Sequence, residues 1–191
     1  MENKPRVCLD LDSTLARTCD VAFELVCGPD HEYSYDDIES WEWGLNEFGT
    51  DTYLNSLWHA WTLRGDEIEP FSVNPSGRTT TLYALSSQLD VVTEHPDHIM
   101  GIDEAKQSWL DSQGIAYDNY RSLENSKSTY DYDIYIDDKP SLAAELAFDD
   151  TSTLLLYDHT YNRNVQGACT RINSLKQAID HVRASIDVYD S

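Results

Sequence analysis

The sequence predicts an α/β fold, in which helices cover a parallel sheet and a helical segment is inserted after the first strand. Two observations support this prediction. Short runs rich in β-branched and aromatic residues alternate with helix-like segments along most of the chain, as in parallel α/β sheets. One acidic and aromatic stretch, residues 17–75, interrupts the alternation. A length of 191 residues suits a single domain with such an insertion.

Five segments are predicted to be strands, because each is a short apolar run bounded by polar residues. In chain order they are residues 7–12, 89–93, 116–123, 132–137 and 153–158. The pattern is weakest in the third segment. The carboxyl ends of parallel strands lie at one edge of a sheet, where ligands bind. We therefore expect the residues that end these segments to meet in space.

Four segments that follow predicted strands or the insertion have helical spacing. They are residues 78–87, 103–113, 141–148 and 172–186. In the last segment, apolar residues recur at steps of three and four, which places them on one face of a helix. These residues are Ile172, Leu175, Ile179, Val182 and Ile186.

The inserted stretch is predicted to form a small helical cap over one edge of the sheet. It holds four tryptophans, Trp41, Trp43, Trp58 and Trp61, which we expect to form the interior of the cap. The predicted organisation is therefore a core made of residues 1–16 and 76–191 and a cap made of residues 17–75.

Acidic residues dominate the charge of the chain. Asp and Glu number 35 against 13 Lys and Arg, so the formal net charge is −22. Such a field repels phosphate backbones and anionic lipids, which excludes non-specific nucleic-acid or membrane-surface binding as the main activity. Hydrophobic residues make up 40% of the chain and aromatic residues 11%, so we expect a folded core and not a disordered acidic chain.

Concentrated salt is our preferred explanation for this charge, and we predict a protein of an extreme halophile. High ionic strength shortens the Debye length to roughly 3 Å at 1 M, which removes the repulsion between surface carboxylates. Only five of the basic residues are lysine, which fits the same explanation. The alternative is an acidic protein that mimics nucleic acid or binds a basic partner.

The sequence also predicts a cytoplasmic location. No apolar run approaches the ~20 residues that a membrane-spanning helix needs, and the N-terminal residues do not resemble a signal peptide. The four cysteines form no CxxC pair and have no zinc-site spacing. We expect free thiols in a reducing compartment.

Polar residues lie at or beside the ends of the predicted strands. They are Asp10, Asp12, Thr14, Thr93, Lys127, Asp137 and Asp138. Several carboxylates within ~4–6 Å of one another do not all stay ionised without a counter-charge. Mg²⁺ provides one with few carboxylate ligands, and an Asp beside the metal is able to attack phosphorus. The cluster therefore predicts phosphoryl chemistry, with lysine and threonine as phosphate ligands.

Three nearby residues are predicted to have no part in the site. Lys106 is the alternative to Lys127 as a phosphate ligand, but its helical segment predicts a solvated position on a helix face. His95 and His98 have acidic neighbours and are expected in a solvated loop.

The segments DLDST at 10–14, VVT at 91–93 and IDDKP at 136–140, together with Lys127, resemble the motifs of the haloacid dehalogenase (HAD) superfamily of phosphatases. The resemblance implies a Rossmann-like core with Asp10 as the nucleophile and Asp12 as the general acid and base. It implies Mg²⁺ binding by Asp10, the backbone carbonyl of Asp12, and Asp137. The supporting residues are Asp138 and Thr14, and the phosphate ligands are Thr93 and Lys127.

A closer resemblance is to the 5′(3′)-deoxyribonucleotidase-like branch, also called 5′-nucleotidase type C. It rests on IDDKP, on LLLYDHTYNR at 154–163 and on KQSWLDSQGI at 106–115. Two departures stand out. Glu94 follows Thr93 where the branch often has serine, and an inward-pointing carboxylate there would weaken phosphate binding. Ser13 stands where glycine is usual.

The resemblance thus implies a Mg²⁺-dependent phosphomonoester hydrolase that works through an aspartyl-phosphate, with a 5′-nucleotide or deoxynucleotide as substrate. As the alternative to their expected place in the interior of the cap, Trp43 or Trp61 would stack on the base of such a substrate. Two alternatives stay open. One is a non-catalytic acidic protein that keeps the fold to bind a basic partner, and the other is a phosphatase for sugar phosphates or nucleic-acid ends.

Overall fold

Six strands form one parallel sheet in the computed structural model, within the residues that it describes, 4–95, 99–167 and 169–189. They are β1 (Arg6–Asp10), β2 (Gln88–Glu94), β3 (Asn119–Leu123), β4 (Ile134–Asp137), β5 (Thr153–Tyr157) and β6 (Cys169–Ile172). Their order across the sheet is β3-β2-β1-β4-β5-β6, as in Rossmann folds. The predicted α/β class with a parallel sheet is confirmed.

The five predicted strands are all present, but the prediction missed β6. This strand lies at the edge of the sheet, and only the last of its four residues, Ile172, is buried. Its sequence, CTRI, therefore lacks the apolar run by which the other strands were recognised. Ile172 was wrongly assigned to the apolar face of the following helix, which begins at Leu175.

Seven α-helices occur in the part of the chain that the structure describes. They are α1 (Thr18–Cys27), α2 (Trp43–Phe48), α3 (Thr50–Arg64), α4 (Pro75–Leu85), α5 (Ile102–Ser112), α6 (Pro140–Glu145) and α7 (Leu175–Tyr189). Alternate residues of the strands point to opposite faces. On β1, Val7 and Leu9 belong to a core that includes residues of α4, α5 and α7, whereas Cys8 packs in a second core with residues of α6. Helices thus cover both faces of the sheet.

The register of the strands positions the edge at which they end. In the β1–β2 pairing Asp10 lies opposite Val92, and in the β1–β4 pairing Leu9 lies opposite Ile136. Asp137 is therefore level with Asp10 on the neighbouring strand. Backbone pairing alone brings these two carboxylates side by side.

Residues 17–75 contain α1, α2 and α3 and have an aromatic cluster of their own, centred on Phe23, Tyr35 and Tyr53. An isolated antiparallel bridge pairs Ala16, just before this segment, with Pro70, near its end. The division into a core and a cap at the predicted boundaries stays a prediction.

Two further expectations concern cysteines and membranes. The four cysteines are free thiols in the described structure, with Cys8 and Cys19 buried. Among the described residues, no helix has the length and the apolar character that crossing a bilayer requires.

Candidate active site

The residues predicted from the strand ends converge at the carboxyl edge of the sheet. Asp10 ends β1, Thr93 precedes the last residue of β2, and Asp137 ends β4. Lys127 begins a short 3-10 helix, Lys127–Thr129, that precedes β4. Each of these residues is at most 5% exposed, so the charges among them have to be balanced within the protein.

Lys127 lies between two of the carboxylates. Its ammonium donates hydrogen bonds to Asp10 and to Asp137 Oδ2, the latter at 2.7 Å. Asp138 is also buried, and Thr14 Oγ1 donates to its Oδ1 at 3.4 Å. One oxygen from each of Asp10, Asp137 and Asp138 lies within 4.8 Å of the other two. Three acids and one cation therefore share a single buried site.

Burial dominates the titration of this group. Burial raises the pKa of Asp10 to about 7, with Asp137 adding to the rise and Lys127 opposing it. Burial also raises the pKa of Asp138 well above its usual value, with Asp10 and Asp137 adding to the rise. For Lys127, burial lowers the pKa, but Asp10 and Asp137 outweigh it and the net pKa lies well above the usual value. If all three acids were ionised, their charge would exceed what one ammonium neutralises, which is why burial and neighbouring acids raise the pKa values of Asp10 and Asp138.

A hard divalent cation fits this donor set. Asp10 Oδ2 is buried, and it has no hydrogen-bond partner within the described chain, so a carboxylate oxygen is left for a ligand. Oxygen donors of this kind are those that Mg²⁺ prefers. Asp10 and Asp137 are two of the predicted ligands, and Asp138, predicted as a supporting residue, supplies the third carboxylate of this group. The side chain of Asp12 contacts other partners, and its role as a ligand through the backbone carbonyl stays a prediction.

Asp12 belongs to a second group beside the first. Its carboxylate accepts hydrogen bonds from Lys106 Nζ, Thr18 Oγ1 and Trp61 Nε1, each at 2.7 Å. Thr93 Oγ1 also donates to it, at 3.1 Å. Burial raises the pKa of Asp12, but Lys106 and the other donors outweigh burial and lower it to about 2. Asp12 is therefore ionised in this structure.

The prediction of a solvated Lys106 is wrong. Its side chain is 2% exposed and its ammonium contacts both Asp12 and Thr93 Oγ1, the latter at 2.7 Å. The signal was available in the sequence, since Ile102, Lys106 and Trp109 follow helical spacing and are all buried on α5. A lysine on an apolar helix face needs an acidic partner, and here the partner comes from the first strand's loop.

A pocket of about 340 Å³ opens above the two groups. On the side of residues 17–75 its lining is almost entirely apolar, and it includes Ile38, Trp41, Leu45, Leu54, Leu57 and Trp58. Trp41 is 50% exposed, and its ring meets the ring of Tyr161 edge-on, with the two ring centroids 5.8 Å apart. Trp43 is half-buried and packs against the aromatic cluster, and Trp61 is buried and donates its indole N–H to Asp12. The most exposed indole at the pocket is therefore Trp41, and not Trp43 or Trp61.

One family model covers nearly all of this arrangement. The model described as 5′ nucleotidase, deoxy (pyrimidine), cytosolic type C protein (NT5C) matches residues 4–186. The chain belongs to this family. Membership makes it a HAD-type phosphatase and a 5′-nucleotidase, which confirms the resemblance seen in the motifs. No curated protein sequence matches the chain.

The structure shows the surroundings of the two residues that depart from the usual motifs, Glu94 and Ser13. Glu94 lines the pocket, but its carboxylate is paired with Lys139 at 2.5 Å and does not stand alone. Ser13 has a φ of 62°, a left-handed conformation that glycine adopts without strain.

The expectation of a solvated His95 is wrong. This residue is 8% exposed, and its Nε2 lies 2.9 Å from Asp103 Oδ1 and 2.8 Å from Ser122 Oγ. His95 is held by neighbouring elements of the fold, so its acidic neighbours in the sequence did not imply exposure. His98 lies outside the described residues.

Proposed function

We propose that this chain is a magnesium-dependent 5′-nucleotidase that works through an aspartyl-phosphate formed on Asp10. The observation that supports the proposal most is the grouping of Asp10, Asp137 and Asp138 around the buried Lys127. A phosphate dianion needs positive charge and fixed donors at the point of reaction. This group offers both next to an acid with an unpartnered oxygen.

In the first step an oxygen of Asp10 attacks phosphorus and the bond from phosphorus to the ester oxygen breaks. Asp12 gives a proton to the leaving alkoxide. In the second step Asp12 takes a proton from water, which attacks phosphorus and releases Asp10 and inorganic phosphate. The ionised form of Asp12 suits this second step. For the first step Asp12 has to gain a proton, which we expect once the phosphate draws Lys106 away.

The remaining residues hold the phosphoryl group and the metal. Lys127, Thr93 and Lys106 would contact the phosphoryl oxygens. Asp10, Asp137 and the backbone carbonyl of Asp12 would hold Mg²⁺, and Asp138 and Thr14 would support them. When bound, the ion neutralises the charge on the phosphoryl oxygens.

We assign the nucleoside to the apolar wall of the pocket, with the base against Trp41. Stacking of a base on an aromatic side chain contributes roughly 1–3 kcal/mol. Tyr161 steadies Trp41 by edge contact and at the same time donates a hydrogen bond to Asp138 Oδ2. The aromatic wall therefore lies next to the phosphoryl site, as a nucleoside monophosphate requires.

We also propose that residues 17–75 act as a cap on a core made of residues 1–16 and 76–191. The paired backbone at Ala16 and Pro70 is a narrow connection, which suits closure over a bound substrate. Closure would exclude bulk water from the phosphoryl site.

The cellular context is part of the same proposal. The cytosolic description of the family and the free thiols support a cytoplasmic location. A small nucleotide is the expected partner, and the net charge of −22 argues against stable nucleic-acid binding.

The nucleophile is tested with Asp10→Asn. We expect hydrolysis of p-nitrophenyl phosphate and of deoxynucleoside monophosphates with Mg²⁺ to fall by roughly a thousandfold or more, because an amide does not form the covalent intermediate. Asp180→Asn, a change at an exposed carboxylate on α7, is the matched control and should keep full activity. Undiminished turnover in Asp10→Asn would remove Asp10 from this role.

The nucleoside site is tested with Trp41→Ala. We expect kcat/KM for deoxynucleoside monophosphates to fall by about tenfold, since stacking of this kind contributes roughly 1–3 kcal/mol. Hydrolysis of deoxyribose 5-phosphate, which has no base, should not change. An equal loss on both substrates would show that Trp41 does not contact the base, and a preference for sugar phosphates in the unmodified protein would favour the sugar-phosphatase alternative.

A further inference from the structure

Glu94 lines the same pocket as most of the lysines of the chain. Three of the five lysines of the chain line this pocket, Lys106, Lys127 and Lys139. Glu94 contacts two of them, since its Oε2 lies 2.5 Å from Lys139 Nζ and its Oε1 accepts a hydrogen bond from the backbone N–H of Lys127 at 3.1 Å.

These contacts connect the segments that carry the site. Glu94 ends β2, while Lys127 and Lys139 lie before and after β4. In the sheet β1 separates β2 from β4, so the side chain of Glu94 spans the end of the strand that carries Asp10. The backbone N–H of Lys139 in turn donates to Asp137 Oδ1 at 2.8 Å.

We propose that Glu94 is a positioning residue with two separable effects on the reaction, a proposal that rests on the function proposed above. Its hydrogen bond to the Lys127 backbone holds the ammonium of that lysine over Asp10. Its charge neutralises Lys139 and keeps the pocket from binding phosphate too tightly, which speeds release of the product. Tight binding of substrate and product does not raise kcat, because only differential binding of the transition state does so.

A purely structural role would look different. The 3-10 helix that begins at Lys127 has a second anchor, because Glu145 on α6 accepts hydrogen bonds from Ser126 and Ser128. Glu145 does not belong to the pocket lining. It therefore serves as the matched control, a carboxylate that holds the same segment from outside the pocket.

The two effects are separated by Glu94→Gln and Glu94→Ala. Glutamine keeps an oxygen that accepts the Lys127 N–H and loses the charge, so we expect kcat within about twofold of the unmodified protein and about fivefold tighter binding of inorganic phosphate. Alanine loses both, so we expect a kcat at least tenfold lower, since small displacements of a positioned group are costly. Glu145→Gln should leave KM and phosphate binding unchanged.

Calorimetric titration with inorganic phosphate and steady-state kinetics on a deoxynucleoside monophosphate are the measurements. Equal kcat values for Glu94→Gln and Glu94→Ala would overturn the positioning effect, and unchanged or weaker phosphate binding by Glu94→Gln would overturn the charge effect. If Glu94→Ala does not fold, Glu94→Leu, which fills the same space but has no acceptor, replaces it in the test of positioning, with the same expected loss of kcat. Lys139→Met tests the charge independently, because it should weaken phosphate binding where Glu94→Gln strengthens it. An unmodified protein that binds phosphate but hydrolyses no phosphoester would contradict the proposed function and leave the charge effect testable by calorimetry.

Discussion

At the scale of single residues, Ser13 shows how the site constrains the backbone. It lies between Asp12 and Thr14, and its φ of 62° is in the left-handed region. The surroundings hold it there, because its N–H donates to the Ala16 carbonyl at 2.9 Å and its own carbonyl lies 2.6 Å from His159 Nε2. Left-handed backbone costs an L-residue roughly 1–2 kcal/mol. The family's usual glycine would avoid that cost.

We predict that the free energy of unfolding of Ser13→Gly is about 1 kcal/mol higher than that of Ser13→Ala. Both changes remove the hydroxyl, but only glycine relieves the left-handed strain, so the comparison isolates the backbone effect. Urea unfolding followed by circular dichroism measures the difference. Equal stabilities would mean that this turn is not held in the left-handed conformation in solution.

The sequence predicts a site residue when its position in a strand reveals it, and fails when its role depends on a contact with a distant residue. Asp10, Thr93 and Asp137 were predicted because parallel strands bring their carboxyl ends to one edge. Lys106 was assigned to solvent because its partner, Asp12, lies 94 residues earlier in the chain. The pairing of Glu94 with Lys139 likewise depends on how the two side chains extend across the end of β1. Spacing along the chain specifies strand ends, but it does not specify such contacts.

At the scale of secondary-structure elements, a buried carboxylate joins the strands away from the site. Asp90 in the middle of β2 is fully buried. Its Oδ2 accepts hydrogen bonds from Gln88, Arg121 and Tyr132, and its Oδ1 accepts one from Asn119, all at 2.7 or 2.8 Å. These donors belong to β2, to β3 and to the segment before β4. One side chain therefore connects two neighbouring strands and the segment that leads into β4.

We predict that Asp90→Asn lowers the free energy of unfolding by about 3 kcal/mol near neutral pH, because the amide turns a donor toward groups that themselves donate. Burial raises the pKa of Asp90, but the hydrogen bonds from Arg121 and Tyr132 and those from two amides outweigh it and lower the pKa below its usual value. A carboxyl with a lowered pKa stabilises the fold above its unfolded pKa of about 3.9, and loses that contribution as the pH falls through the folded pKa.

The difference in stability between the unmodified protein and Asp90→Asn should therefore be largest near pH 7 and should shrink below about pH 4. Urea midpoints at a series of pH values measure it. Asp131→Asn is the control, because that carboxylate is 95% exposed and pairs only at the surface with Arg6, where ion pairs contribute little. A difference that does not change with pH would contradict the ionised state of buried Asp90.

The strands and helices that are most buried were predicted most accurately. Strands β1 and β4 are apolar runs with nearly every residue buried, and both were predicted within two residues of their observed bounds. Strand β6 has one buried residue and was missed. The helix expected at 141–148 ends at Glu145, three residues early. Edge strands and helix ends depend on pairing and capping with distant segments, which local periodicity does not report.

At the scale of the whole molecule, charge is distributed unevenly. With a net charge of −22, the chain places three of its five lysines around one pocket. The side chains of these lysines are a quarter exposed at most, so salt screens their pairs with carboxylates only weakly. The acids at the surface are in contact with solvent and repel one another. Salt should therefore act on the surface and leave the site intact.

We propose that the protein is adapted to concentrated salt, and we predict a higher melting temperature in molar KCl than in dilute buffer. Self-repulsion among surface carboxylates destabilises the compact state, and a Debye length of roughly 3 Å at 1 M removes most of it. For a chain of this size, each kcal/mol raises the melting temperature by about 2–4 °C. Scanning calorimetry across a KCl series measures the shift, and sorbitol at matched osmolality is the control, because it does not screen charge. If KCl gives no greater shift than sorbitol, or no shift at all, the acidic surface has another purpose, and docking of a basic partner becomes the better explanation.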